Sequence, residues 1–143
     1  MQEIKKILKQ NGCERIQAYD DDDNGYGFQF IYGNRSIRFG IKYPSMDDRD
    51  ICKTETGKGR TLAQIEKAYD QEVRRLFRAL LMCLRMKFEI VNSGISCFED
   101  EFMSHTVDPN SNQTYGTMLQ PLIEERLAGI DTRPTLFLPG PND

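Results

Sequence analysis

Apolar residues recur at steps of three and four along one long segment, from Thr61 to Gly94. This stripe consists of Leu62, Ile65, Tyr69, Val73, Leu76, Leu80, Leu84 and Val91. The spacing places all of them on one face of a helix. The segment opens with Thr61-Leu62-Ala63-Gln64, a capping-box pattern, and closes at Ser93-Gly94, where glycine commonly ends helices. A helix of this length runs roughly 50 Å, so the pattern predicts one central helix along which the rest of the chain packs.

Two segments before this helix alternate apolar and polar residues, as half-buried strands do. The apolar positions are Tyr26, Phe28, Phe30 and Tyr32 in the first segment and Ile37, Phe39, Ile41 and Tyr43 in the second. Between the two segments, Gly33-Asn34 is a two-residue hairpin signal. This turn pairs Tyr32 with Arg35, Phe30 with Ile37, Phe28 with Phe39, and Tyr26 with Ile41. Because the last three pairs bring apolar side chains together on one face, turn and pattern predict the same register.

Shorter elements flank the hairpin and the long helix. Glu3 to Gln10 predicts a short helix, and Arg15 to Tyr19 predicts a strand. After the long helix, Ser96-Cys97-Phe98-Glu99 is a second capping-box pattern, which predicts a short acidic helix. Turn residues from Asp108 to Asn112 predict a small hairpin. A last helix is expected from about Thr117 to Ala128, with Pro121 in its first turn or at a kink.

This order of elements predicts an α+β fold, in which a three-stranded antiparallel sheet packs on one long central helix with short C-terminal helices after it. A chain of 143 residues fits a single domain. Its parts are a helix with antiparallel strands (1–43), a basic polar loop (44–60), the long helix (61–94), and short helices with a proline-rich tail (95–143). The tail is expected to dock through Leu136, Phe137 and Leu138. The predicted core contacts join Leu76, Leu80 and Leu84 to Phe28, Phe30, Phe39 and Ile41.

Composition places the chain among soluble proteins. It is 38% hydrophobic and 29% charged, which is typical of a globular domain. The longest apolar run, Ala79 to Leu84, has six residues and is too short to span a membrane. The N-terminus lacks the apolar core of a signal peptide. We therefore expect a cytoplasmic protein with no membrane partner.

The residues that most often carry catalysis or bind metals form no recognisable constellation. The four cysteines (Cys13, Cys52, Cys83, Cys97) are widely scattered, and the chain has one histidine, His105. Zinc sites need closely paired ligands, so we expect reduced thiols, with Cys83 as a small core residue. His105 is interpreted as structural or solvent-facing rather than as a general base. These patterns predict no cofactor, no metal, no catalytic residue and no enzymatic activity.

Two acidic clusters are also interpreted without a metal. Glu99, Asp100 and Glu101 are placed to stabilise the first turn of a helix, although acid–base or metal chemistry is the alternative. The stretch from Asp20 to Asp23 resembles a calcium loop, but the distal bidentate glutamate is missing. A solvated turn is the favoured interpretation.

Basic residues supply the candidate binding site. On the long helix, Lys67, Arg74, Arg78 and Arg85 fall within about 40° of one another, opposite the apolar stripe. Lys58 and Arg60 lie just before the helix, in a glycine-containing loop without the spacing of a P-loop. One interpretation is a basic surface for phosphates or for an acidic protein. The other is the ordinary solvated face of an amphipathic helix.

A second candidate surface is apolar. Leu81, Met82, Met86 and Phe88 extend the apolar character of the long helix beyond its main stripe. Exposed patches of this kind mark interfaces, so we predict a homodimer packed through the second half of the helix. The alternative is that other apolar residues of the same chain cover the patch. These are Phe98, Phe102, Leu119, Leu122, Ile123 and Phe137.

From the long helix onward the chain resembles a family of small phage and prophage proteins. The family core reads RRxWRALxLxIKAKLEAVESGI, followed by TFEEEFL, a PDGxT turn and a proline-rich tail. The matching stretches here are 72–81, 86–95 and 98–102, together with Pro109-Asn110, Thr114 and Pro121. This chain differs at Phe77, where the family has tryptophan, and at 109–112, which replaces the PDG turn. No catalytic residue is carried over from this family.

The resemblance implies an accessory protein of a mobile element, made in the cytoplasm of a bacterial host. We therefore expect a protein that binds host or phage machinery and inhibits or redirects it. The alternative is direct binding of nucleic acid or a nucleotide through the basic helix face and loop.

Overall fold

The computed structural model describes residues 1–21 and 24–129 of the chain. The elements, in order, are α1 (Gln2–Gln10), β1 (Glu14–Asp21), β2 (Gly25–Tyr32), β3 (Arg35–Lys42), α2 (Arg49–Cys52), α3 (Leu62–Asn92), α4 (Phe98–Glu101), a short 3-10 helix (Met103–His105) and α5 (Tyr115–Ala128). The acidic residues Asp22 and Asp23 and the predicted docking of the tail lie outside the described residues.

The three strands form one antiparallel sheet in the order β1-β2-β3. The predicted register of the β2–β3 hairpin is confirmed at all four pairs: Tyr32 with Arg35, Phe30 with Ile37, Phe28 with Phe39, and Tyr26 with Ile41. Gly33 in the turn has a φ of 60°, a conformation that glycine adopts without steric cost. Turn geometry and apolar alternation agree here, and their agreement fixes which side chains face the core.

Helix α3 begins and ends where its capping signals predict. The Gln64 amide donates to the Thr61 hydroxyl at 3.3 Å, and the Thr61 amide donates to the Gln64 side-chain oxygen at 3.0 Å. These two bonds form the capping box at the N-terminus. At the other end, Gly94 has a φ of 79°, the left-handed conformation that stops a helix.

The hydrophobic core lies between the inner face of the sheet and the second half of α3. It is formed by Tyr26, Phe28, Phe30, Ile37 and Phe39 from the sheet, Ile4, Ile7 and Leu8 from α1, Leu80, Leu84 and Phe88 from α3, and Cys13, Phe98 and Phe102. The α+β fold is confirmed, with the sheet packed on the long helix. The predicted packing of the long helix on the aromatic face of the sheet is confirmed for Leu80 and Leu84. Leu76 does not belong to this cluster, and Phe77 instead packs on Tyr26 with ring centroids 4.9 Å apart.

The apolar stripe of α3 is buried unevenly along its length. Leu84 is fully buried, whereas Leu62 at the other end is 68% exposed. Ile65 and Tyr69, between them, are half-buried. The first half of the helix therefore lies outside the aromatic core. The short helix α2, which was not predicted, packs against α3.

Two local predictions are wrong. The second capping box does not form, because α4 starts one residue later than predicted: Cys97 is its N-cap, and the Ser96 hydroxyl donates to the Cys97 carbonyl. Cys83 is exposed rather than in the core, since it lies beyond the buried edge of the α3 stripe. The predicted last helix is present as α5: it starts at Tyr115 after a Thr114 cap, and Pro121 lies inside it, which excludes only the first-turn alternative.

We expect Leu80→Ala to lower the free energy of unfolding by about 2–5 kcal/mol, because it removes buried apolar surface and leaves a cavity. Leu80 is 7% exposed. Chemical denaturation measures the change, and Leu62→Ala on the exposed end of the same helix serves as the control, with an effect within about 0.5 kcal/mol. Equal destabilisation by the two substitutions would contradict this position of the core.

Candidate functional site

An open cleft of about 1080 Å³ lies between the first half of α3, its outer half, and the helix α2. Helix α2 is held in place by Ile51, which is 4% exposed. Five arginines line the cleft: Arg49, Arg60, Arg74, Arg75 and Arg78. We call this surface the arginine cleft. Three carboxylates, Asp48, Asp50 and Glu72, also line it, so its walls carry both signs of charge with an excess of cations.

Arg60 connects the loop before α3 to α2. Its amide donates to the Cys52 carbonyl at 2.9 Å. Its guanidinium donates to the carbonyls of Ile51 at 3.1 Å and Asp50 at 3.3 Å. These carbonyls belong to a helix of one turn and have few other donors. Arg60 thus fixes the position of α2 and, with it, the width of the cleft.

Arg75 is neutralised by Glu72 one turn earlier on α3. Its Nε donates to Glu72 Oε2 at 2.8 Å, and its Nη2 donates to Oε1 at 2.6 Å. The hydrogen bonds from Arg75 lower the pKa of Glu72 below its usual value. This pair lies at the surface, where ion pairs add little stability, but it removes Arg75 from the charges available to a ligand.

The other three arginines of the cleft have no partner among the residues that the structure describes. Within residues 1–21 and 24–129, the side chains of Arg49, Arg74 and Arg78 make no hydrogen bond or ion pair. All three are exposed. Arginine presents a planar fork of donors that matches a carboxylate or a phosphate with two bonds. The cleft therefore offers three guanidinium groups with no hydrogen-bond partner among the described residues to an anionic ligand.

The predicted basic surface is divided by the fold. Arg60, Arg74 and Arg78 come together in the arginine cleft, whereas Lys58 and Lys67 are exposed and do not line it. Arg85 lies about 10 Å further along α3 than Arg78, where it lines a different groove. The predicted basic residues of α3 do share one face of the helix, but α2 lies beside only one part of that face.

Arg49 and Arg75 were missed because neither lies on the predicted helix face. A local signal for α2 was present, however. Asp48 is its N-cap residue, and the Asp48 carboxylate accepts a hydrogen bond from the Ser45 amide at 2.9 Å. Ile51 is the one residue of α2 that is buried. A capping residue followed by an apolar residue in a polar stretch is a weak helix signal, and here it marks the second wall of the cleft.

The predicted apolar interface is only partly exposed. Met82 is 68% exposed and Met86 is 59% exposed, whereas Leu81 packs against the core. Phe88 is buried, with its ring centroid 5.1 Å from that of Phe102. The prediction of Phe88 as a freely accessible contact is thus wrong, because Phe98 and Phe102 fold back over it as the alternative proposed.

A groove of about 510 Å³ lies between α1 and this part of α3. We call it the methionine groove, and its lining includes Ile7, Met82, Arg85, Met86, Phe88 and Glu89. Leu119, Leu122 and Ile123, which the alternative placed over this patch, are exposed on α5 instead. The exposed methionines are therefore not covered by α5 of the same chain.

His105 and the acidic turn near it have structural contacts. The His105 ring stacks on Phe39 with centroids 3.9 Å apart. Glu101 accepts a hydrogen bond from the Lys87 ammonium at 3.1 Å. Burial lowers the pKa of His105, and the nearby Lys87 charge adds to this effect. In the described part of the chain, no group of three histidine, cysteine, aspartate or glutamate residues is arranged to hold a metal ion.

Comparison with protein-family models, curated proteins and solved structures finds no match. The resemblance to phage proteins therefore stays a prediction. Over residues 1–21 and 24–129, none of the helices has both the length and the apolar character needed to cross a membrane.

We expect the pKa of His105 to lie below the ordinary value of about 6.5, because burial disfavours the charged imidazolium. As the only histidine of the untagged chain, it gives a single imidazole signal in an NMR pH titration, and His105→Gln identifies that signal by its loss. The unfolded chain binds the proton more readily, so stability should fall as the pH drops below about 6.5. A midpoint at or above 6.5 would contradict the half-buried position of the ring against Phe39.

Proposed function

We propose that this chain is a non-enzymatic accessory protein that binds a protein of its host or of a mobile element, and that the arginine cleft contacts acidic side chains of that partner. The observation that carries the proposal is the convergence of three unpaired arginines, Arg49, Arg74 and Arg78, in one open cleft. A carboxylate from a partner would satisfy guanidinium groups that no described residue of this chain satisfies.

The charge distribution favours a protein over a nucleic acid. The cleft contains Asp48 and Asp50 beside its arginines, and carboxylates repel a continuous phosphate backbone. A protein surface, by contrast, presents both signs of charge, and complementary pairing selects the partner and its orientation. The net charge of the whole chain is −3, so its long-range field does not attract nucleic acid.

The resemblance to small phage and prophage proteins supplies the biological setting of the proposal. In that setting the protein acts in the bacterial cytoplasm and inhibits or redirects a host or phage protein by occupying its surface. Such a role needs a shaped surface and no catalytic group.

A nucleotide or nucleic acid is the second candidate ligand of the same site. It is favoured by the arginines themselves, because a guanidinium fork binds phosphate as well as carboxylate. The cleft volume, about 1080 Å³, is also large enough for a small ligand. The two candidates differ in the chemistry of the ligand and not in the residues that hold it.

Exchanging the cleft charges tests the proposal. We expect Arg74→Glu combined with Arg78→Glu to reduce capture of the partner protein about tenfold or more, since carboxylates in the cleft repel the acidic side chains. The measurement is quantitative mass spectrometry of proteins retained by the immobilised chain from nuclease-treated bacterial lysate. Both residues are exposed, so the fold should tolerate the change.

Lys58→Glu combined with Lys67→Glu is the matched control, because it makes the same change in net charge on exposed residues outside the cleft. Proteins captured equally by the wild type and both variants would contradict the role of the cleft. The nucleic-acid candidate is tested by fluorescence anisotropy with labelled single-stranded DNA, duplex DNA and duplex RNA at low salt. Binding that the cleft substitutions abolish and the control preserves would favour that candidate.

A further inference from the structure

Helix α5 extends from the fold with its apolar residues exposed. Its first turn is fixed, because the Tyr115 amide donates to the Thr106 carbonyl at 2.9 Å and Gly116 packs closely on Ser104. Beyond this turn, every residue from 117 to 129 is exposed. The exposed apolar residues are Met118, Leu119, Leu122, Ile123 and Leu127. An apolar helix in this position has surface to bury and no described residue of its own chain to cover it.

Four of the five exposed apolar residues of α5 form one stripe, and Met118 lies outside it. At 100° per residue, Leu119, Leu122, Ile123 and Leu127 fall within about 140° of arc. This spacing is the one used by helices that bind in apolar grooves. One charge interrupts the stripe, since Arg126 lies inside the same arc. A surface that covers this stripe must therefore provide an acidic group for Arg126.

The methionine groove has the complementary features. It lies between two helices, and its lining combines the exposed Met82 and Met86 and the buried Phe88 with the polar residues Gln10, Asn11 and Asn92. Methionine side chains adapt to irregular apolar partners. Glu89 lines the groove, as the acidic partner of Arg126 must. Among residues 1–21 and 24–129, no element covers the stripe of α5, and no helix lies in the methionine groove.

The remaining charges agree with this fit. Arg85 lines the groove, and Glu125 flanks the stripe of α5 at the position next to Arg126. In the described part of the chain, the side chains of Arg85, Glu89, Glu125 and Arg126 make no hydrogen bond or ion pair. The groove and the stripe thus each carry one cation and one carboxylate, so that α5 in the groove can set Arg126 against Glu89 and Glu125 against Arg85.

We propose that α5 of one copy of this chain lies in the methionine groove of a second copy, and that the reciprocal contact closes a two-fold dimer. The partner is a second copy because α5 does not line the groove of its own chain, while its stripe and charges match that groove. Two-fold exchange buries both helices and both grooves and leaves no open end for further growth. The proposal is independent of the ligand of the arginine cleft.

Two substitutions test the helix side and the groove side of the contact independently. Leu122→Glu disrupts α5 and leaves the groove intact, whereas Met86→Glu disrupts the groove and leaves α5 intact. Leu122 is 54% exposed, and Met86 is likewise largely exposed, so neither change should affect folding. Circular dichroism and thermal melting check this. Leu62→Glu, on an exposed apolar residue outside both surfaces, is the matched control.

Light scattering and sedimentation at about 1–100 µM measure the assembly. We expect a dimer for the wild type and for Leu62→Glu, and a dissociation constant raised about tenfold or more for Leu122→Glu and for Met86→Glu. An equal mixture of the last two variants should form a heterodimer, because one intact helix then meets one intact groove. A monomeric wild type, or a mixture without heterodimer, would overturn the proposal.

Charge exchange tests the orientation. Arg126→Glu and Glu89→Arg should each weaken the dimer, and the two changes in one chain should restore it, because the pair is re-formed with reversed sign. If α5 instead pairs with α5 of the second copy, Met86→Glu alone will dimerise as strongly as the wild type, and the proposal fails.

Discussion

The sheet buries only the second half of α3, and the arginine cleft follows from that constraint. The aromatic face of the sheet meets the helix around Leu80 and Leu84, where the side chains are buried. Toward Leu62 the helix continues without the sheet beneath it. A helix of 31 residues is roughly 46 Å long, more than strands of 8 residues can cover. The uncovered length must be packed against something else or remain exposed.

The two ends of α3 are used differently. At its outer half, α2 packs beside the helix and forms a polar cleft whose shape depends on the bonds from Arg60 to the α2 carbonyls. At its buried half, α1 lies alongside the helix and leaves an apolar groove around Met82 and Met86. Arg78 and Arg85 are on the same face of α3, yet they line different surfaces. The arginine cleft and the methionine groove are thereby separated along one helix, so a partner of one surface need not compete with a partner of the other.

What the sequence predicted correctly was mostly local. The capping box at Thr61 and the hairpin register depend on residues within a few positions of one another, so the pattern contains all the information needed. The Arg78 position on the helix also follows from local periodicity. The arginine cleft does not, because Arg49 reaches it only through the packing of α2. Leu76 and Phe77 show the same limit: the stripe names Leu76, and only the packing of α3 on the sheet shows that Phe77 contacts Tyr26 instead.

The most direct test of this account is amide hydrogen exchange along α3. Because the aromatic core holds only the second half, amides from 80 to 91 should exchange at least about tenfold more slowly than those from 66 to 75, which depend on the smaller contact with α2. Peptide-resolved mass spectrometry or NMR reports both halves in one experiment. Protection rising toward the Leu84 region supports the account. Equal protection along the whole helix would contradict it, because the outer half would then be held as firmly as the core.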